Sequence, residues 1–275
     1  MKKRIIAAIL LLLLLLALFP SCAARDEDVL RVTVLDVGQG DCVLLSLNGH
    51  HALIDTGSAA SRGALLGELD RLGVKDLDAI VVTHPHEDHY GNARVLLETC
   101  TVGALYLSQG VGEELGYQIL LETADACGVP RKTLCDGDLF ALSEASFEVF
   151  CPLPDDPEPN NAGLVLRVSY GACKLLFMGD AERPTEAALL ARGIDWKCDF
   201  LKVGHHGSNT ACSQGFLQAS APQIAAISCA VDNDYGFPHG EVLAGLEEIG
   251  AAVYRTDLLG TLHFSCDGAS VIFEE

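Results

Sequence analysis

Three histidines and one aspartate fall within six residues of the segment Thr83-His84-Pro85-His86-Glu87-Asp88-His89. Neutral imidazole nitrogens and carboxylate oxygens are the donors that divalent metal ions take from proteins. A run this dense surrounds a cation only where the chain turns sharply, so that His84, His86, Asp88 and His89 face one point. The apolar segment 77–82 just before it reads as a buried strand. A strand that ends in a tight turn can aim several side chains into one pocket. Three histidines and a carboxylate suit zinc, with manganese or iron as alternatives. The bland reading, an exposed polar turn rich in histidine, does not account for four potential ligands at a strand exit.

The surrounding pattern alternates strands and helices. Residues 30–37 and 42–47 are apolar and β-branched, and 51–54 follows the Asn48-Gly49 turn signal. These read as consecutive antiparallel strands. Leu65, Leu66, Leu69 and Leu72 recur at helical spacing, and Gly73 stops that helix. Helices are expected at 91–97 and 113–127, with strands at 104–107, 138–142 and 147–150. Residues 152–161 form a proline-rich acidic loop. The second half repeats the logic. A hairpin spans 164–170 and 173–178, and a helix spans 183–192 with a proline in its first turn. A strand at 200–203 runs into Gly204-His205-His206-Gly207. Helices at 213–219 and 240–249, strands at 224–229 and 252–254 and a hairpin over 261–273 complete the chain. Two β-rich halves with interleaved helices point to two sheets packed face to face, helices outside.

Thr83 to His89 resembles the H-x-H-x-D-H signature of the metallo-β-lactamase superfamily. Further segments, Asp36-Val-Gly-Gln-Gly-Asp41, Leu53-Ile-Asp-Thr-Gly57, Phe177-Met-Gly-Asp180, Leu201-Lys-Val-Gly-His-His-Gly-Ser208 and Asn233-Asp-Tyr-Gly236, are similar in order and type to the hydrolase domain of the ComEC/Rec2 competence proteins. The resemblance covers residues 30–275. It implies an α/β protein of the four-layer αβ/βα sandwich type and a free-standing form without the membrane channel of that family.

Residue by residue, the resemblance implies two divalent metal ions, zinc first and manganese second. His84 and His86 would hold one, Asp88 and His89 the other, and Asp180 would bridge them. Either His205 or His206 would complete the set. Asp55 would orient a ligand from behind, and Asp36 and Asp41 would border the site. Two departures stand out. Relatives read Tyr-Gly-His-Pro-His where this chain has Tyr235-Gly-Phe237-Pro-His239, so one histidine is lost, and His239 either replaces it or leaves the position open. The relatives' Asn-Asn-x-Ser is Asn160-Asn161-Ala-Gly163 here; Asn161 remains a candidate for facing substrate. His50, His51 and His263 read as structural or solvated.

The first residues have another character. Lys2, Lys3 and Arg4 precede an apolar run over 5–19 and then Ser21-Cys22. This is a secretory signal of lipoprotein type over 1–22, with Cys22 as the lipid attachment point. The bulky Phe19 departs from the usual pattern, and a plain cleaved signal or an uncleaved anchor are the alternatives. Residues 23–29 read as a polar tether. The expected location is the extracytoplasmic face of a membrane.

The formal net charge is −20, with no run of Lys or Arg after residue 4. Such a chain repels nucleic acid at long range, which counts against a DNA-binding module. It counts less against a nuclease, because bound cations change the local field. Eleven cysteines include no C-x-x-C pair, and several sit in apolar runs, as Cys42 and Cys229 do, where they read as small buried hydrophobes.

Two metal ions would polarise a phosphoryl or carbonyl oxygen and lower the pKa of a bridging water, positioned by Asp88 or Asp180 as catalytic carboxylates. The expected function is a phosphodiesterase or nuclease. The resemblance favours DNA as substrate; the acidity favours a small or wall-linked diester such as a choline-phosphate ester. The rival is a non-catalytic surface lipoprotein that binds DNA or envelope polymer. Phe237 supports it, and the retained metal-type residues oppose it.

Overall fold

The computed structural model describes residues 28–110 and 112–274. The expected signal with its Cys22, and the tether up to residue 27, lie outside the described residues. Alternating side chains on a pleated strand face opposite sides, and this period of two runs through most of the strands. The first half forms β1 (Leu30–Val34), β2 (Val43–Leu47), β3 (His50–Ile54), β4 (Asp76–Leu77), β5 (Ala79–Val82), β6 (Thr101–Val102), β7 (Leu105–Leu107) and β8 (Arg131–Thr133). The second half forms β9 (Leu139–Leu142), β10 (Ala145–Phe150), β11 (Val165–Tyr170), β12 (Cys173–Phe177), β13 (Phe200–Lys202), β14 (Ile224–Ile227) and β15 (Ala252–Arg255). A last hairpin comprises β16 (Leu262–Cys266) and β17 (Val271–Glu274).

Two large sheets result, ordered β17-β16-β1-β2-β3-β5-β7-β8 and β15-β14-β13-β12-β11-β10-β9, with β4 and β6 as a separate ribbon. Val32, Leu45, Ile54 and Val81 from one sheet meet Phe147, Val168, Phe177 and Phe200 from the other in a shared apolar layer. Burial of each such side chain contributes roughly 1.5–3 kcal/mol. Leu44, Leu53, Ile80 and Val82, one position out of phase, pack on the opposite side against Leu65, Leu69 and Leu120 of helices Arg62–Leu72 and Leu115–Ala126. Leu176, Leu201 and Ala225 do the same beyond the second sheet, against Leu189, Phe216 and Leu246. The layers run helix, sheet, sheet, helix, which is the expected sandwich. The all-apolar β5 serves both layers, as a strand covered on both faces must.

Strand direction positions the site. β3 and β5 run parallel, with Ile54 opposite Val81. So do β12, β13 and β14, with Phe177 opposite Lys202 and Lys202 opposite Ala226. Parallel neighbours need crossovers, here the helices Arg62–Leu72, Arg183–Leu190 and Gln214–Ser220. Each crossover returns the chain to the same starting edge. The carboxyl ends therefore lie side by side, where ligands bind in parallel sheets.

Some elements differ from expectation. The strand expected over 77–82 is split at Asp78, whose carboxylate is bonded to His50 Nδ1 and accepts the His51 backbone N–H at 2.9 Å each. The first strand ends at Val34, where the glycine-rich loop begins. The final hairpin crosses back to the first sheet and pairs with β1, Leu30 opposite Cys266 and Val34 opposite Leu262. The edge strand β8 is exposed at every position and carries no apolar signal. Of the ten cysteines described, seven are buried and all are free thiols. Among the described residues no helix is long and apolar enough to cross a membrane.

Candidate metal centre

Past Val82, the backbone N–H and hydroxyl of Thr83 both donate to Asp55, at 2.8 Å each. Asp55 lies just past the parallel neighbour β3 and adopts a left-handed φ of 58°. Its Oδ2 also faces His89 Nδ1 at 2.8 Å. The short helix Glu87–Tyr90 starts from His86 and carries His89 back over the strand end. His84 Nδ1 is 3.1 Å from Thr83 Oγ1, and its Nε2 is 3.0 Å from His86 Nδ1. Thr83 behind His84 Nδ1 and Asp55 behind His89 Nδ1 leave both Nε2 atoms turned to the front, where His84 Nε2 meets His86 Nδ1.

The second sheet meets this turn from the far side. Asp180 follows β12 through Gly179, where a Cβ would lie 3.1 Å from Thr83 Oγ1. A glycine thus lets the two strand ends close on each other. Beyond β13, His205 and His206 both adopt left-handed conformations, φ 48° and 54°. Such strain costs of order 1–3 kcal/mol per residue and persists where the surroundings over-determine it. Here it turns consecutive rings apart. His206 is buried, with Nδ1 3.1 Å from the Ser228 carbonyl and Nε2 3.4 Å from Asp88 Oδ2 and 3.5 Å from Asp180 Oδ1. His205 is half-buried. Its Nε2 is 3.9 Å from Asp180 Oδ2, and its Nδ1 is engaged near Glu182 and Thr210.

Two groups of donors share Asp180. The ligand atoms of Asp88, His89, Asp180 and His206 lie within 4.8 Å of one another, as do those of His84, His86 and Asp180. A tetrahedral ion with bonds of about 2.0–2.2 Å sets its ligand atoms roughly 3.3–3.6 Å apart. His89 Nε2 to Asp180 is 3.3 Å, and His206 Nε2 to Asp88 and Asp180 is 3.4 and 3.5 Å. His89 Nε2, His206 Nε2 and Asp180 Oδ1 are also buried without a hydrogen-bond partner. Orphaned buried polar atoms are costly, and a divalent cation between them would satisfy all three. The donor set fits a metal.

The electrostatics agree. Burial alone would raise the Asp180 carboxyl, but the imidazoles of His89 and His206 outweigh it and hold it well below the usual range. Burial alone would lower His89 and His206. Asp180, with Asp55 behind one ring and Asp41 behind the other, pushes both well above normal. Burial, with His89 alongside, holds His84 well below. Carboxylates thus dominate the surroundings of His89 and His206, a negative field that a bound cation would offset.

The remaining candidates separate. Asp41 is buried, and its Oδ2 accepts from Lys202 Nζ at 2.8 Å. Its loop approaches closely because residue 40 is glycine; a Cβ there would meet the Asp88 carbonyl at 2.4 Å. Asp36 is exposed, and its Oδ1 accepts the Gly38 N–H. Asn161 is buried, but its Oδ1 accepts the Thr185 hydroxyl at 3.0 Å. His239 Nδ1 accepts the Asn209 N–H at 2.9 Å. Among the described residues the converging groups include His206 and not His205 or His239. At position 237, where the resemblance led to the expectation of a histidine, the Phe237 ring stacks near His206 at 6.3 Å, and Tyr235, 64 % exposed, stacks on Phe237 at 5.2 Å.

Sequence reading gave no role to Lys202 or Thr83. The signal for Lys202 was available: a lone lysine inside the apolar run Phe200-Leu-Lys-Val203 requires a buried partner. Thr83 carried no signal beyond its place before His84.

Comparison with known proteins fits this geometry. Residues 35–121 match the family model of the Metallo-beta-lactamase superfamily. The chain is 32% identical to ComE operon protein 3 of Bacillus subtilis, over 90% of this chain and 34% of that protein. It is 33% identical to competence protein ComA of Neisseria gonorrhoeae, over 88% of this chain and 33% of that one. The chain thus spans about a third of the length of these relatives. The metallo-β-lactamase fold protein YhfI of Bacillus subtilis superposes with a TM-score of 0.56 at 11% identity, over 82% of this chain and 95% of that one, a likeness of fold alone. The chain therefore carries a metallo-β-lactamase-fold domain, homologous to the portion of these competence proteins that it spans.

Proposed function

We propose that the chain is a metal-dependent hydrolase of phosphodiesters. The observation that carries this reading is that Asp180 is shared by two groups of converging donors at the carboxyl ends of parallel strands, and that His89 Nε2, His206 Nε2 and Asp180 Oδ1 among them are buried without a partner. His84, His86 and Asp180 would hold one divalent ion, and Asp88, His89, His206 and Asp180 the other, with zinc ahead of manganese. Bound there, the ions would neutralise charge on a phosphoryl oxygen and make water a better nucleophile.

The chain's own residues supply the rest. Asp55 and Thr83 hold His89, and the Ser228 carbonyl holds His206. Asp88, less buried than Asp180, is the carboxylate placed to accept a proton from attacking water. Phe237 and Tyr235 stack beside His206 and would offer a flat aromatic face to an organic substituent of the diester. The names of the relatives, competence proteins among them, favour DNA as substrate. The net charge of −20 favours a small or wall-linked diester. The expected export signal would put the reaction outside the cytoplasm, at a membrane surface.

The test is hydrolysis of single-stranded DNA, double-stranded DNA and a small activated phosphodiester by the full chain in detergent, loaded with zinc or manganese. Asp180→Ala and a chelated control run alongside. Metal-dependent cleavage of DNA that vanishes in the variant makes this a nuclease. Cleavage of the small diester alone moves the substrate to that class. A chain that binds metal yet cleaves neither supports the non-catalytic binder that Phe237 favours.

A further inference from the structure

We propose that Lys202 is a positioning residue for the metal centre, acting through Asp41 on His206. Lysine is almost never fully buried unless paired, and Lys202 is 2 % exposed at the end of β13, between Leu201 and Val203. Its Nζ lies 2.8 Å from both Asp41 oxygens and 3.2 Å from the Val203 carbonyl. Asp41 comes from the other half of the chain, on the loop between β1 and β2. Its backbone is pinned there: its N–H donates to the Asp88 carbonyl, and its own carbonyl accepts from Gly57.

Asp41 Oδ1 faces His206 Nδ1 at 3.4 Å, beside the Ser228 carbonyl at 3.1 Å. Two acceptors behind the ring keep the proton on Nδ1 and turn Nε2 towards Asp88 and Asp180. His89 is treated alike: Asp55 stands behind its Nδ1, and its Nε2 points to the same centre. The difference lies in what sits behind each carboxylate. Asp55 is satisfied by Thr83, through an amide and a hydroxyl. Asp41 is paired with an ammonium, which donates to Oδ2 and leaves Oδ1 close by without a hydrogen-bond donor of its own. Asp41, Asp55 and His89 also form a third cluster of donors. The Lys202 charge already meets the Asp41 member of that cluster, which leaves the front of the centre as the place for cations. Groups that orient metal-binding histidines are worth 10–100-fold in affinity.

The inference rests on reading His206 as a metal ligand. The test is zinc titration by calorimetry together with 15N NMR of the histidine rings, on the full chain and on Lys202→Met, Lys202→Arg and the double variant Lys202→Met/Asp41→Asn. The wild type is expected to take up two zinc ions. Lys202→Met should weaken one of them about 10–100-fold, leave the other within about twofold, and shift the His206 ring signals; Lys202→Arg should recover part of the loss. The double variant carries no unpaired buried charge, so it keeps the test alive if the single variant fails to fold. It should show the same selective loss. Wild-type affinity at both sites with unchanged His206 signals in the double variant would overturn the proposal. Equal weakening at both sites, tracking lost thermal stability, would reduce Lys202 to a structural role and overturn it too. A wild type that binds no zinc would instead remove the metal reading on which it stands.

Discussion

The first sheet delivers four donors from one turn, whereas the second delivers two from the ends of separate strands. His84, His86, Asp88 and His89 all follow β5 within a turn and a short helix. Asp180 follows β12 and His206 follows β13, with the helix Arg183–Leu190 between them. The first set is held by local geometry and by one neighbouring strand end. The second exists only if parallel pairing and a crossover are in place. Contacts across the seam join the two: Gly179 against Thr83, His206 against Asp88, and Lys202 paired with Asp41. A local set should therefore be robust and gradable, and a long-range set brittle.

Asp180→Ala tests the brittle side most severely, because it removes the donor shared by both groups. It should lower hydrolysis by roughly 10³-fold and reduce metal content below two ions per chain by elemental analysis. Retention of both ions and full activity would break the idea of a shared donor. Lys202→Met comes next. It strands a buried carboxylate, so urea denaturation of the metal-free chain should show a loss of about 3–5 kcal/mol. Adding Asp41→Asn should restore much of it; a single variant within about 1 kcal/mol of wild type would mean that this pair does not tie the halves together.

Thr83→Val probes the local set. The hydroxyl bond to Asp55 is lost while the backbone bond remains, so stability should fall by about 1–2 kcal/mol and metal affinity by about tenfold. A loss as large as that of Lys202→Met would erase the contrast between the halves. The smallest effect lies away from the centre. His50 is hydrogen-bonded to Asp78, which raises its pKa above 6.5. A group raised in the folded state lends stability that is complete below the unfolded value and is lost as pH rises through the folded one. The pair is exposed and screened. The melting temperature of wild type relative to His50→Gln should therefore be slightly higher near pH 5.5 and converge above the raised pKa. A difference that does not change with pH would remove His50 as a titrating contributor.

Legibility follows the same division. The metal-type turn, the apolar alternation of β1, β2, β10 and β12, and the Gly73 helix stop can be read from neighbouring residues, because their causes act within a few positions. The edge strand β8 and the pairing of the last hairpin with β1 could not be read. Their stabilisation comes from partners far away in the chain, and β8 has no buried face to mark it. Asn161 looked available to substrate, yet it is buried and its Oδ1 accepts from Thr185. His239 looked like a substitute ligand, yet its Nδ1 accepts from Asn209.

By itself, then, the order of residues determined the donor-rich turn after β5, the two-layered apolar pattern and the glycines that end strands beside the centre. Only the tertiary structure chose His206 over its neighbour His205, through two left-handed residues that send identical rings in different directions. Only it paired Lys202 with Asp41 across 161 positions. Side-chain identity and spacing encode what happens within a turn or a strand. Which of two equivalent groups reaches a common point depends on pairing and burial set by the whole sandwich.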